Sequence, residues 1–457
     1  MSKRDPSNAG VADFRRSPGI SYQKILDQDS RRVPDNLRID TAVYLGDQDI
    51  PVDRYIDPKF HQLEKDKIWK RVWQMALREE RIPNVGDADV YEINDISIIL
   101  VRVAPDSIKG YYNACLHMGR SLVERPCNLS EFRCPYHGFT WHTDGKLKRI
   151  HSMWAFPQID ARKFNLPEVR VATWDGFIFI NMDPNCEPLE AYLGDLNQHF
   201  KKYPLSERYT AVHVIKVLRC NWKVAQEAFM DAYHVVATHP QILTSAGDDN
   251  SQYDVFGNCS RAMTPAGVPS PHLNWTPTED DIAGNVFRSM DSSGGVKVPP
   301  GMTYRQFGAH LAREELRTLI GDEADGLCDA EVMDSFYYTV FPNFHPWPSY
   351  NQITQHFKPY NDRHDMCTME LMYLRPFKGE RPPPAKPHFL GPDQSFLEAV
   401  ELGAGSAALL CQDEWNVEKV QRGLHTLRGN KPGVTLGVYQ HTQVRHFHNL
   451  YDRYLGL

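Results

Sequence analysis

The sequence is poor in the features that make several functions easy to read. Its nine cysteines are an odd number without a repeating spacing, so no disulfide framework is expected and a reducing compartment is. No run approaches the roughly 18 apolar residues that a membrane span requires. The N-terminal segment MSKRDPSNAGVADFRRSPG has no apolar h-region, so a secretory signal is not expected. Positive charge is in deficit: 51 Lys and Arg stand against 58 Asp and Glu, a net charge of −7. That removes the broad basic face a nucleic-acid binder needs, and Arg15-Arg16 and Arg31-Arg32 read as solvated pairs on a polar arm. There is no P-loop. Gly403-Ala-Gly405-Ser-Ala-Ala408 fits G-x-G-x-x-A but follows a helical run rather than a strand, so it reads as a helix break. These absences imply a cytoplasmic protein with no membrane or nucleic-acid partner and no nicotinamide or flavin site of its own.

What remains is a globular composition, 41% hydrophobic and 24% charged, over 457 residues, long enough for two cores. Residues 1–50 read as a polar arm packing on something else. Residues 51–184 open with an amphipathic helix (PKFHQLEKDKIWKRV) and continue as short β-branched and aromatic runs, VWQMAL, DADVYEI, SIILVRV and DGFIFINM, which predict a small antiparallel β-domain. Asp144-Gly145 marks a hairpin within it. From residue 185 to 457 helices and strands mix: helical Pro188–Phe200, strand-like TAVHVIKVLRC, and a helix over Asn221–His239 that Pro240 ends. Residues 241–302, rich in Gly, Pro, Ser and Asp, read as a long functional or mobile connection. An amphipathic helix over Thr303–Ile320 is placed at a pocket mouth. Three strand-like runs follow, then helices over Asp393–Leu424 and Tyr439–Leu455.

Two groups of residues carry chemistry. Cys115-Leu-His117 and Cys134-Pro-Tyr-His137 each offer one thiolate and one imidazole on neighbouring loops, with Gly119, Pro135 and Gly138 supplying tight turns. Structural zinc sites usually pair like with like, whereas mixed pairs suit a Rieske [2Fe-2S] centre, in which two histidines replace two cysteines on one iron. Zinc, and chance in a His-rich chain, are the alternatives. Downstream, His234 and His239 lie five apart with Asp231 three residues before His234, on neighbouring parts of one helical face. Two histidines and a carboxylate with open positions form the facial triad of non-haem iron oxygenases.

Together C-x-H-x(16)-C-x-x-H and Glu227-x(3)-Asp231-x(2)-His234-x(4)-His239 resemble the motifs of the Rieske non-haem iron oxygenases, and of the large (α) subunits of aromatic-ring-hydroxylating dioxygenases in particular. The resemblance runs from about residue 45 to the C-terminus. It implies an α+β fold, a small antiparallel β Rieske domain followed by a helix-on-antiparallel-sheet catalytic domain. Cys115, His117, Cys134 and His137 would hold the cluster; His234 and His239 would hold Fe(II), with Asp231 as a bridging residue for electron transfer. LLCQDEWNVEKVQRGL is similar to the family's late helix, which maps the third ligand to Asp413, ahead of Glu414 and Asp393. Many members carry Asn where this chain has Glu227, so no role passes to that position. Phe229, Met230, Val235, Phe336, Tyr338, Phe341, Asn343 and Tyr350 are the expected lining of an apolar pocket.

The implied activity is hydroxylation, with cis-dihydroxylation favoured, of an aromatic or polycyclic apolar substrate. O₂ would be co-substrate, and electrons would come from a ferredoxin or flavin reductase that draws on NAD(P)H. A homotrimer is implied, with or without a small β subunit (α3 or α3β3). Monooxygenases and O- or N-demethylases share the motifs. A non-catalytic Rieske electron-transfer protein and a zinc-stabilised structural protein are the readings from other classes.

Overall fold

The computed structural model describes residues 17, 19–41, 43–289, 297–348 and 353–457. It divides into two compact units, one of residues 61–192 with 359–363, the other of the described residues up to Phe60 with 193–358 and 364–457. The boundary falls after Phe60 rather than at residue 51. Ile50–Pro51 pairs with Gly433–Val434 of the larger unit, and the Asp53–Ile56 helix packs on the helix Ala404–Leu427, so this segment joins the larger core.

In the smaller unit the alternating runs of the sequence become strands β1 (Gln74–Arg78), β2 (Asp87–Ile93), β3 (Ile96–Ala104), β4 (Ser107–Tyr112), β5 (Cys127–Asn128), β6 (Glu131–Arg133), β7 (Thr140–His142), β8 (Leu147–Arg149), β9 (Glu168–Trp174) and β10 (Phe177–Asn181). Seven form an antiparallel sheet in the order β1-β10-β9-β4-β3-β2-β5, and β6-β7-β8 form a second, smaller one. Ile99, Tyr111, Phe132, Phe139 and Trp141 share one buried core with Cys115 and Cys134. The two thiols are therefore anchored in packed hydrophobic side chains, not in free loops. Gly145 closes the β7–β8 turn at φ +82°, where a side chain would strike the Tyr111 ring.

The larger unit is built on an eight-stranded sheet from β11 (Tyr209–Leu218), β12 (Gln252–Phe256), β13 (Cys259–Thr264), β14 (Ser335–Val340), β15 (Phe344–Pro346), β16 (Ile353–Pro359), β17 (Cys367–Arg375) and β18 (His388–Leu390). Its order is β12-β13-β14-β15-β16-β17-β11-β18, antiparallel in its described pairings apart from the parallel edge strand β18. Among its helices are α1 (Trp222–Glu227), α2 (Val235–Thr238), α3 (Tyr304–Ile320), α4 (Ala404–Leu427) and α5 (Thr442–Leu455). Contacts of α1 with β17 and of α5 with β12 and β13 make a helix-on-sheet packing. Among the described residues no helix is long and apolar enough to cross a membrane.

Two readings of the sequence are corrected here. Residues 241–302, read as a long functional or mobile connection, instead supply β12, β13 and a helix, Glu279–Ser289. The strands were hidden because Asp254 and Arg261, both fully buried, pair across them at 2.7 Å, so charge stands where the pattern calls for apolar side chains. The run Asn221–His239 is not one helix. It breaks between α1 and α2, where Asp231 Oδ1 accepts the His234 N–H at 2.9 Å and the Tyr253 hydroxyl accepts the Ala232 N–H. Side chains there take the backbone donors that a helix would use. The helix α3 begins at its N-cap Thr303 with a capping box, but it packs on neighbouring helices and is not among the residues that line the cavity described below.

The N-terminal segment is tied to the larger unit by polar contacts. Tyr22 donates to Asp334, Ser30 to Asp329 and the Thr41 N–H to Asp254, each at 2.7 Å. Arg261 also donates to the carbonyls of Asn36 and Ile39, which places the Arg261–Asp254 pair at the centre of this junction. Replacing Asp254 by Ala leaves a buried guanidinium without its carboxylate, a loss of about 3–5 kcal/mol. The expected result is a thermal unfolding midpoint lower by roughly 6 °C or more; an unchanged midpoint would show that the pair does not hold the junction.

Candidate metal centres

The loops that carry the first group of residues are built alike. Cys115 N–H donates to the Arg120 carbonyl and Gly119 N–H to the Cys115 carbonyl, each at 2.8 Å; Cys134 N–H donates to Phe139 and Gly138 N–H to Cys134 in the same pattern. Each loop turns through a glycine, Gly119 at φ +78° and Gly138 at φ +73°, a region that L-residues seldom occupy. At Gly138 a Cβ would also meet the His151 ring at 2.9 Å. The cysteines are buried, while His117 is half-buried and His137 exposed. Their rings stand 4.5 Å apart, and His117 lies flat on Phe139 at 4.7 Å. Burial pushes the Cys115 thiol up; the neighbouring Cys134 sulfur adds to the rise, and the N–H groups of His117 and Met118 oppose it. Nδ1 of His117 is buried without a hydrogen-bond partner among the described residues, as an atom reserved for a metal would be. Two inner thiols and two outer imidazoles, one with an orphaned nitrogen, fit a Rieske cluster.

In the larger unit the structure brings His234, His239 and Asp413 together, with one ligand atom of each within 4.8 Å of the others. His239 Nε2 lies 2.9 Å and His234 Nε2 3.7 Å from Asp413 Oδ1. Each imidazole is held on its far side. Asp231 Oδ1 lies 3.3 Å from His234 Nδ1, and Gln412 Oε1 lies 2.8 Å from His239 Nδ1 while also accepting from the Gln241 amide. Outer partners of this kind fix the tautomer and aim of a metal-binding histidine. Burial opposes the charge on Asp231, but hydrogen bonds and charge from His234 outweigh it and hold the carboxyl below its usual range.

Helix register decides which carboxylate joins the histidines. Neighbours on a helix point about 100° apart, so Asp413 faces the pair while Glu414 turns to the buried Lys216 at 2.7 Å. Asp393 pairs with Arg219 outside the site. On the same helix Asn416 donates to Thr238 at 3.1 Å and Glu418 accepts the Arg219 N–H. Glu227 accepts from the Tyr55 hydroxyl and pairs with His448, each at 3.0 Å.

A cavity of about 250 Å³ opens on the triad. Phe229 and Val235 line it, as expected, together with Asp231, His234, His239 and Asp413. Five other expected lining residues face elsewhere. Strand side chains alternate, and β14 turns Ser335 and Tyr337 to the cavity, so Phe336 and Tyr338 point to the opposite face, where Tyr338 meets His199 and Arg261. Phe341 stacks on Tyr454 at 5.0 Å, Asn343 donates to the Phe357 carbonyl, and Met230 is fully buried away from the cavity. Tyr350 lies outside the described residues. The same alternation brings Ile353 and Gln355 of β16 and Leu371 and Tyr373 of β17 into the wall. Sequence reasoning missed these, and Trp347, Leu409, Leu410 and Gln412; in β14 itself, Phe-Tyr-Tyr offers no apolar alternation to set the parity.

Comparison with known proteins agrees with this geometry. Residues 200–457 match the family model of the ring-hydroxylating alpha subunit catalytic domain, and residues 72–161 that of the Rieske [2Fe-2S] domain. The chain is 30% identical over 192 residues to the chlorobenzene dioxygenase subunit alpha of Cupriavidus sp. (strain PS12), covering 40% of this chain and 42% of that protein. It is 28% identical over 217 residues to the carnitine monooxygenase oxygenase subunit of Escherichia coli (strain K12), covering 46% and 57%. This chain thus spans less than two thirds of the length of either curated relative. The solved structure of naphthalene 1,2-dioxygenase with indole bound in its active site shares the fold, at a TM-score of 0.63 and 18% identity over 91% of this chain and 94% of that one. With the catalytic-domain model spanning more than half of the sequence, the chain belongs to the ring-hydroxylating alpha-subunit family, with a Rieske [2Fe-2S] domain ahead of a catalytic domain for mononuclear iron.

Proposed function

We propose that this chain is the cytoplasmic terminal oxygenase component of a multi-protein system and hydroxylates an aromatic or polycyclic substrate. The observation that carries the reading is the convergence of His234, His239 and Asp413 on a cavity walled mainly by apolar side chains. Cys115, Cys134, His117 and His137 would hold the cluster; His234, His239 and Asp413 would hold Fe(II). When bound, the cluster supplies electrons one at a time and the iron supplies open positions for O₂ beside the substrate. Asp231 and Gln412 keep the Nε2 atoms of the two histidines turned inward. Phe229, Val235, Leu371 and Leu410 exclude water from the reacting face and hold a ring by contact. Electrons come from a ferredoxin or flavin reductase that draws on NAD(P)H.

Dihydroxylation is the favoured outcome. Among the described lining residues the charged side chains all belong to the metal site, so a substrate carboxylate finds no dedicated counter-charge. The likeness to a carnitine monooxygenase keeps single oxygenation or demethylation as the second reading. Product analysis with a reconstituted electron chain separates them: a cis-diol supports the first, a monohydroxylated or dealkylated product the second.

For electron transfer we propose a ring of three subunits, α3 or α3β3, in which heterologous contacts close on themselves and Asp231 links His234 to the partner subunit's His117 or His137. Asp231→Asn is expected to keep both metals and the assembly while slowing cluster-to-iron electron transfer. Single-turnover kinetics on pre-reduced protein checks this, and cluster oxidation at the unaltered rate would remove the bridging role.

Two further outcomes test the ligand set. Asp413→Ala should lose iron and turnover while Glu414→Ala remains active, since Glu414 faces Lys216; the reverse result would shift the ligand by one residue. Gln412→Leu should weaken Fe(II) binding by roughly 10–100-fold with the cluster spectrum unchanged, and wild-type affinity in a metal titration would show that His239 needs no such support.

A further inference from the structure

The wall of the cavity carries two polar atoms without a hydrogen-bond partner among the described residues. Gln355 is 3% exposed, stands on β16 opposite His345 of β15, and lines the cavity. Its Oε1 is buried with no hydrogen-bond partner. Trp347 lines the same cavity, and its indole Nε1 is likewise buried and without a partner. Two other polar groups of the wall are engaged: the Tyr337 hydroxyl bonds Thr264 at 2.8 Å, and Thr264 bonds Ser251 at 2.7 Å. Buried carbonyls and N–H groups are nearly always paired in folded proteins, and leaving one unmade is costly. An acceptor and a donor left open in one ligand-sized cavity are therefore a feature of the ligand's chemistry.

That chemistry is narrow. The acceptor needs an O–H or N–H, the donor needs a lone pair, and one hydroxyl or one amide supplies both. The group is neutral, because the charges among the described lining residues, Asp231, His234, His239 and Asp413, are committed to the metal site. The body of the ligand remains apolar, facing Phe229, Leu371 and the Tyr337–Trp347 pair, whose rings lie 5.4 Å apart.

We propose that the cavity takes a substrate with an apolar, ring-sized body bearing one neutral hydrogen-bonding group, a hydroxyl or an amide, which donates to Gln355 and accepts from Trp347. This deepens the oxygenase reading and rests on it. A bare hydrocarbon fills the same space but leaves both atoms unpaired, and a site built to bond a polar group discriminates against the analogue that lacks it. The bond also restricts which edge of the ring turns to the metal, as positioning groups do in oriented reactions.

The test compares 2-naphthol with naphthalene as binding probes for the holoprotein, without O₂ so that nothing turns over, by equilibrium dialysis. The unaltered protein is expected to bind 2-naphthol at least about tenfold more tightly than naphthalene. Gln355→Leu should bring the two within about threefold by weakening the naphthol alone, and Trp347→Phe should move the ratio in the same direction. If Gln355→Leu fails to fold, the Trp347→Phe protein carries the comparison. Equal binding of the probes by the unaltered protein, or a preference that survives both substitutions, would overturn the inference while leaving the oxygenase reading intact. Binding of neither probe, with both metal centres present, would overturn the aromatic-substrate reading and this inference together.

Discussion

Two imidazole nitrogens and a carboxylate oxygen held within 4.8 Å of one another, in a largely buried place, form the constraint on which the larger unit depends. Such atoms do not stay together unaided, because desolvated ligands without a metal lose solvation and gain little in return. The chain fixes them from outside. Asp231 and Gln412 hold one ring nitrogen of each histidine, and the break between α1 and α2 lets His234 and His239 approach from different directions. The register of α4 then delivers Asp413 and turns Glu414 away to Lys216. A continuous helix over Asn221–His239 would have turned the two rings about 140° apart around its axis and given Asp231 no backbone N–H to accept.

The smaller unit obeys a different constraint. Its thiols belong to the hydrophobic core and its imidazoles to the rim, so the same two loops join a buried anchor to an accessible edge. The repeated pattern of hydrogen bonds around Cys115 and Cys134 makes this division of labour symmetrical. Each glycine of the pair takes a backbone angle that only its lack of a side chain makes easy.

Much of this was legible in the residues. Motif spacing pointed to the cluster residues and the two histidines, short alternating runs pointed to the small β-domain, and the α+β class as a whole came with the family resemblance. Asp413 needed the resemblance of its helix to a known pattern, since a carboxylate more than 170 residues from its partners leaves no local spacing to read. The hidden strands β12 and β13 failed on chemistry: a buried ion pair, Arg261 with Asp254, imitates loop polarity. The cavity wall failed on parity. In β14 the residues Phe336, Tyr337 and Tyr338 are all aromatic, so hydropathy could not say which face each serves, and a buried amide such as Gln355 has no signature of its own in the sequence.

The account rests on two kinds of iron in one chain, and the iron-to-sulfide ratio of the purified holoprotein tests that most directly. A Rieske cluster with one separate iron gives about three irons for two acid-labile sulfides, with the brown cluster absorption, and the separate iron alone should disappear in His234→Ala and His239→Ala proteins. Equal iron and sulfide in freshly reconstituted wild-type protein, unaffected by those substitutions, or a colourless zinc protein, would contradict it.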